Sequence, residues 1–267
     1  MGVLMATDIY LEALQKAGVS PEDSVLAVCA GSCDQRALQA AGVKTAVISN
    51  VNHHDGVSDY APYTWQYQDA EEIKSEDGCF DWCIVHNGLH HCGSPHRALC
   101  EMLRVSRKGV ILIEARDSLL MRFAVVLGLT PTYELEPIFL TEGAYGGIRN
   151  SQVPNFVYRW TEREIWKTVC SAEPHRVPSI QYLYGYRIPT ERLTMSKSVT
   201  KRSIAHVANA VVGILKLIAP HQGNTFGAIV CKNGAIQPWL LEDHGKLVAD
   251  LDYMSRLFAR EKYVRSG

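Results

Sequence analysis

The strongest constraint on this chain is an alternation. Short apolar runs of strand length are separated by segments with helical spacing, and tight turns join them. Residues 24–29 form an apolar run suited to a buried parallel strand. Ala30-Gly31-Ser32 is a tight turn, residues 34–41 read as a helix closed by Gly42, and residues 44–49 are a second apolar strand. Strand, turn, helix and strand within about thirty residues is the size of a βαβ unit. The pattern then recurs, with a strand at 80–85, a helix at 96–105 and a strand at 110–115. A helix at 7–17, stopped by Gly18, precedes the first strand. This alternation predicts an α/β fold with a doubly wound, mostly parallel sheet and helices on both faces.

After Ser118 the pattern changes. Residues 119–127 are an apolar helix, and 131–155 read as loop, with Gly143, Gly146 and Gly147 close together. Thr161-Glu162-Arg163-Glu164 is a capping box that opens another helix. A strand is expected at 180–188, an apolar helix at 204–219, a last strand at 225–231 and a helical tail from 240 to 263.

Composition narrows the function. Of the 267 residues 47% are hydrophobic, enough to build a sizeable core, and the formal net charge is -1. A nucleic-acid binder needs a basic excess to neutralise phosphates, so nucleic acid is not expected as a partner. No apolar run reaches membrane-spanning length. The helix at 204–219 is interrupted by His206, Asn209 and Lys216, which suits a buried helix or one that touches a membrane surface peripherally. Eight cysteines without a Cys-x-x-Cys pair, and no secretory leader pattern, give the expectation of a cytoplasmic protein with reduced thiols. His86 and His90 are four apart, but they fall on a strand end and a turn, and no carboxylate cluster in the sequence completes a site. No metal is therefore expected.

Two stretches carry a family resemblance. The first is Val25-Leu26-Ala27-Val28-Cys29-Ala30-Gly31-Ser32-Cys33-Asp34. The second runs from Gln68-Asp69-Ala70-Glu71 through Phe80-Asp81-Trp82-Cys83-Ile84-Val85 and His86-Asn87-Gly88-Leu89-His90-His91. It continues through Arg97-Ala98-Leu99-Cys100-Glu101-Met102-Leu103-Arg104-Val105 to Lys108-Gly109-Val110-Ile111-Leu112-Ile113-Glu114. In order, spacing and residue type this resembles class I S-adenosylmethionine-dependent methyltransferases of the small-molecule type. The first stretch departs from the family's glycine-rich loop. Ala27, Cys29 and Cys33 stand at its acidic, first and third glycine positions, and only Gly31 keeps the pattern.

The resemblance implies a Rossmann-like sheet with an antiparallel last strand and a cap inserted after the fifth strand. It implies one methyltransferase domain at 1–237, with a cofactor core at 20–118, an acceptor and cap region at 119–223 and a last strand at 225–231. A helical tail at 238–267 would follow. The implied cofactor is S-adenosylmethionine, with S-adenosylhomocysteine as product. Ligands of open parallel sheets lie beyond the carboxyl ends of the strands, and Gly31, Asn50, Asp69 and Asn87 fall at or just after such ends. The implied cofactor residues are Ala30, Gly31, Ser32, Asp34, Asn87, Asp69 for the adenine amino group, Ala70 for a ring nitrogen, and Asn50 or Asn52 for the ribose diol. His90 or His91 would line the cleft as a general base. Arg116, Asp117, Tyr145, Arg149 and Tyr158 are candidate acceptor contacts. Asn87-Gly88-Leu89 stands where enzymes acting on nucleic-acid amino groups carry an Asp-Pro-Pro-aromatic motif. The expected activity is methyl transfer to a small molecule, an oxygen of a metabolite or saccharide first. The alternative is a non-catalytic protein of this fold that binds the cofactor and acts through a partner.

Overall fold

A computed structural model describes residues 4–52, 60–186 and 199–265. In chain order the principal elements begin with α1 (Leu4–Ala17), β1 (Ser24–Val28), α2 (Ser32–Ala40), β2 (Thr45–Asn50), β3 (Thr64–Tyr67) and β4 (Phe80–His86). They continue with α3 (Pro95–Val105), β5 (Ser106–Ala115), α4 (Leu119–Val126), β6 (Tyr133–Glu134), α5 (Glu136–Leu140), β7 (Asn155–Phe156), α6 (Glu162–Ala172) and β8 (Ser179–Gly185). The chain closes with α7 (Val199–Ile218), β9 (Thr225–Cys231), β10 (Leu240–Asp243), β11 (Lys246–Ala249) and α8 (Leu251–Arg265). Seven strands form one sheet in the order β3-β2-β1-β4-β5-β9-β8. The first five pair in parallel, and β9 runs antiparallel to both β5 and β8. The expected α/β, Rossmann-like, doubly wound sheet with an antiparallel last strand is present.

The two-residue period of a strand explains the two cores. On β1, Leu26 and Val28 face the side covered by α3 and α6, with Cys83, Val85, Val110 and Leu112 beside them. Val25 and Ala27 face the other side, with Ile84, Ile111 and Ile113, against α1 and α2. All these strand residues are buried, so both faces of the centre are covered and the strands read as unbroken apolar runs. The amino-terminal edge is locked by charge. Asp81 accepts from the backbone and hydroxyl of Ser24, and Arg107 donates to it at 3.0 Å. The carboxyl-terminal edge, where Val28, Asn50, Tyr67, His86 and Ala115 end their strands, is left to loops.

Several segments differ from expectation, among them 131–155, read as loop, which holds β6, α5 and the start of β7. β3 was not anticipated, because Thr64-Trp65-Gln66-Tyr67 is a mostly exposed edge strand and carries no apolar run. The expected helical tail begins as a hairpin, since β10 and β11 pair antiparallel from Leu240↔Ala249 to Asp243↔Lys246. His244 (φ 46) and Gly245 (φ 74) both take the left-handed conformation that a two-residue hairpin turn requires. Only then does α8 follow. In α4 and at the carboxyl end of α7, Phe123, Val126, Leu217 and Ile218 are all exposed. No helix among the described residues is long and apolar enough to cross a membrane. Part of the expected strand at 180–188 lies outside the described residues.

Gly109 opens the apolar run of β5, and a Cβ there would collide with the Val230 carbonyl and the Trp82 ring. Both neighbours are fixed parts of the sheet. Gly109→Ala is therefore expected to cost about 1–3 kcal/mol through overpacking, read as a lower urea midpoint at unchanged m-value. A midpoint equal to that of the unsubstituted chain would mean that β5 and β9 do not approach this closely.

Candidate active site

The turn after β1 is held from two sides. Cys29 takes a left-handed conformation (φ 50), which costs a non-glycine residue about 1–2 kcal/mol. Asn50, the last residue of β2, donates through Nδ2 to the Ala30 carbonyl at 2.8 Å, and its Oδ1 accepts from the Asn52 N–H at 2.8 Å. On the other side Asp34 accepts from the Gly31 N–H at 2.9 Å, and caps the start of α2. Asp34 is buried, and burial pushes its carboxyl up to about 6 despite the Gly31 bond. Among the described residues a Cβ at Gly31 would meet only the Tyr60 hydroxyl, at 4.0 Å, so none of them fills the space beside this turn.

A second group of loops gathers around Glu114, near the end of β5. Its side chain is fully buried. Oε1 accepts from the N–H groups of Gly88 and Leu89, each at 2.8 Å, and Oε2 lies 3.2 Å from His90 Nδ1. Gly88 is required for this approach, because a Cβ would strike Cys29. Beyond His90 stands Glu134, on β6. Its Oε2 is 3.4 Å from the Nε2 of His90 and 3.4 Å from the Nε2 of His91, and Asn155 Nδ2 lies 3.3 Å away. Burial opposes charge on His90, but hydrogen bonds to Glu114 and Glu134 outweigh it and push its pKa up to about 10. Glu134 is held down to about 2, first by its bond with His90. His91 is lowered, by burial and then by the charge on His90.

The cap folds back onto these loops. Glu71, 3% exposed, accepts from Gly93 N at 2.8 Å and Ser94 N at 2.9 Å, and from Arg149 Nε at 3.0 Å. Arg149 and Asn150 are consecutive left-handed residues (φ 50 and 57) that form the tip of the cap turn. Between cap and strand ends lies a cleft of about 440 Å³. One wall is Cys29, Asn50, Asn52, Asp69, Ala70 and Glu71; the other is Pro137, Leu140, Thr141, Tyr145, Arg149 and Asn150, with His91 and Cys92 between them. Asp69 Oδ1 accepts from the Glu71 N–H at 2.8 Å, which fixes the orientation of its carboxylate.

Of the residues expected from sequence, the structure brings Asn50, Asn52, Asp69, Ala70, His91, Tyr145 and Arg149 to this cleft. Ala30, Gly31, Ser32 and Asp34 form and brace its neighbouring turn, Asn87 shapes the β4 end with a left-handed backbone (φ 51), and His90 stands behind His91. Three acceptor candidates sit elsewhere. Arg116 pairs with Glu162 at 2.6 Å and lies over the Tyr184 ring, Asp117 pairs with Arg122 at 2.8 Å, and the Tyr158 hydroxyl donates to Glu164 at 2.7 Å. They lie at the base of the cap, where the main chain at Trp160 bonds to Ala115 and Asp117, and none of them lines the cleft. The expectation that no carboxylate joins the histidines is also corrected, since Glu114 and Glu134 both reach them. Glu71, Glu114 and Glu134 went unseen as site residues. Only Glu114 left a trace, as a lone carboxylate closing the apolar run Val110-Ile111-Leu112-Ile113.

Comparison with known proteins bears on the fold. Residues 26–113 match the family model of a methyltransferase domain. A possible histamine N-methyltransferase from Thermotoga maritima, S-adenosylmethionine-dependent, superposes with a TM-score of 0.51 at 15% identity, over 86% of this chain and 91% of that one. A provisionally assigned methyltransferase from Bacillus halodurans gives 0.50 at 16% identity, over 84% and 97%. At these identities the likeness establishes the fold. No curated protein sequence matches the chain.

The Asp34 carboxyl gives a pH prediction. Its folded pKa, about 6, lies above its unfolded value. The folded state therefore holds the proton more tightly, and the stability gained this way is full below the unfolded value near 4 and lost as pH rises through 6. Asp34→Asn removes that dependence. Relative to the unsubstituted chain, the variant is expected to gain up to roughly 3 kcal/mol between pH 4 and pH 7.5, measured by urea unfolding at both pH values. A difference that stays constant with pH would show that Asp34 is not desolvated as described.

Proposed function

We propose that the chain is a class I S-adenosylmethionine-dependent methyltransferase, a reading supported by the methyltransferase-domain match over residues 26–113, and that it transfers the methyl group to an oxygen nucleophile of a small acceptor, a metabolite or a saccharide. The observation that carries this reading is the two-sided cleft. One wall holds strand-end residues that the resemblance assigns to the cofactor, and the other is the cap. The donor set suits the cofactor. A diol and an adenine need acceptors and amides rather than a phosphate cradle, and Asn50, Asn52, Gln68 and the carboxylate of Asp69 supply them. In this reading Asp69 accepts from the adenine amino group, the Ala70 N–H donates to a ring nitrogen, and Asn52 or Asn50 meets the ribose. The space beside Gly31 admits the methionine end.

The bound cofactor supplies a methyl carbon already activated by positively charged sulfur, so the chain needs no nucleophile of its own. Its residues have three tasks: to align the acceptor, to exclude water and to let a hydroxyl proton leave. Tyr145, Thr141 and Leu140 on the cap face the cofactor wall and would align the acceptor. The cap excludes water from above, and the Arg149–Glu71 pair ties it to the cofactor wall. The proton leaves along the side formed by His91, with His90 and Glu134 behind it. A cleft of about 440 Å³ shared between cofactor and acceptor favours a small acceptor. The net charge of -1 does not favour a nucleic acid.

Asp69→Ala is expected to weaken S-adenosylmethionine binding by about 1–3 kcal/mol, the cost of a lost hydrogen-bond acceptor, in calorimetry on a folded variant. Unchanged affinity would remove the adenine site from Asp69. The acceptor class is tested by mass spectrometry of a panel of hydroxyl, amino and thiol compounds incubated with cofactor and enzyme. Methyl ethers are expected; methylated amines alone would overturn the oxygen assignment, and no S-adenosylhomocysteine with any acceptor would favour the non-catalytic alternative.

A further inference from the structure

His90, His91 and Glu134 present three ligand atoms that all lie within 4.8 Å of one another. Two of the three spacings are already those of a bound ion. A tetrahedral zinc with ligands at about 2.0–2.1 Å has ligand–ligand edges of about 3.4 Å, and both histidine Nε2 atoms stand 3.4 Å from Glu134 Oε2. We propose that His90, His91 and Glu134 bind one divalent transition-metal ion of the zinc class, with a fourth position open to the acceptor side of the cleft.

The surroundings of the ligands support a built site. A metal-binding histidine commonly donates its other ring nitrogen to a carboxylate or a carbonyl, which fixes the ring. His90 turns Nδ1 to the buried Glu114, which the β4 loop holds in place through two N–H groups. Glu134 is flanked by Asn155. Two of the three ligands thus have an outer partner, and the partners come from separate elements, β5 and β7. The ligand set, two imidazoles and one carboxylate, is that of zinc sites which keep a fourth position for water or substrate. His91 itself lines the cleft, so that position faces the acceptor.

This inference rests on the methyl-transfer reading and deepens it. An acceptor hydroxyl in the fourth position is acidified by the cation and releases its proton to solvent. Its oxygen lone pair then forms the O–C bond while the C–S bond breaks and its electron pair stays on sulfur. Neither histidine has to act as the base. The substrate class becomes narrower: hydroxyl compounds able to approach a metal, such as sugar diols, phenols or enols.

The test uses the full chain, stripped with a chelator and titrated with Co2+ as a spectroscopic probe. We expect one Co2+ per chain, visible bands of tetrahedral strength, and displacement by Zn2+. His91→Ala and Glu134→Ala should each weaken Co2+ binding at least 100-fold, and Glu114→Gln roughly 10-fold through its hold on His90. His175→Ala, at a histidine paired with Glu173 away from the cleft, should leave binding unchanged. Added azide should shift the bands if the fourth position is open. Absence of saturable binding, or binding that survives both ligand variants, would overturn the site and leave the cluster an ion pair. Bands insensitive to azide would overturn the acceptor role. S-adenosylmethionine affinity of the same metal-free samples separates the two readings. Its retention in the ligand variants shows that they are folded and that the cofactor site is independent. Co2+ binding by a chain that binds no cofactor would overturn the link to methyl transfer while the metal site stands.

Discussion

The upper edge of this sheet depends on one buried carboxylate. Glu114 sits near the end of the central strand β5 with no exposed side-chain surface, so its charge must be met by protein donors. The Gly88 and Leu89 N–H groups and the His90 ring meet it. Each would cost about 1–3 kcal/mol if left unmade. The same three contacts therefore set the path of the chain after β4. They place Gly88 against Cys29, so the β1 turn and the β4 turn meet, and they aim His90 at Glu134. Position 88 must be glycine for the loops to close, and position 114 must be an acceptor for them to stay closed.

The cap depends on a second buried carboxylate in a similar way. Glu71 follows the Asp69-Ala70 pair and gathers the Gly93 and Ser94 N–H groups from the start of α3. Its remaining demand is met by Arg149 from the cap, 58% exposed and so of modest worth by itself. The consecutive left-handed residues Arg149 and Asn150 make the tight turn that brings this side chain down. A weak outer tie on a strongly built inner carboxylate suits a roof that must open for ligands and close over them.

The fold was legible because the central strands are buried on both faces and their sequences are unbroken apolar runs, as at Val25-Leu26-Ala27-Val28 and Val110-Ile111-Leu112-Ile113. The exposed edge strand β3 and the hairpin β10–β11 have no such signal and were missed. In the cleft, Asn50, Asn52, Asp69 and Ala70 could be read because position after a strand end is a local property of the sequence. The carboxylate partners could not. Glu134 meets His90 across 44 residues of chain, and Arg149 meets Glu71 across 78. Such pairs are made by folding, and nothing near either residue in sequence announces them. Arg116 and Asp117 follow a strand end and Tyr158 lies in the variable segment beyond it, and partners on or near α4 and α6 take their side chains.

The departures from the family's loop are matched by partners around them. A carboxylate at the end of β2 suits a ribose, yet here the position is Asn50, whose side chain must donate to the Ala30 carbonyl and accept from the Asn52 N–H at once. Only an amide does both; an aspartate would set two acceptors against each other. A carboxylate at position 50 would therefore disturb the turn rather than improve the site. The lost glycine at Cys29 is accommodated by a true glycine at position 88, on the facing loop, and Cys29 packs within 3.9 Å of the Cys92 sulfur. The turn amide that Gly31 offers is taken by Asp34. Asn50 and Cys29 thus each have a compensating neighbour within hydrogen-bond or packing distance. A loop that had merely eroded would leave unpaired buried groups; this one is braced on both sides.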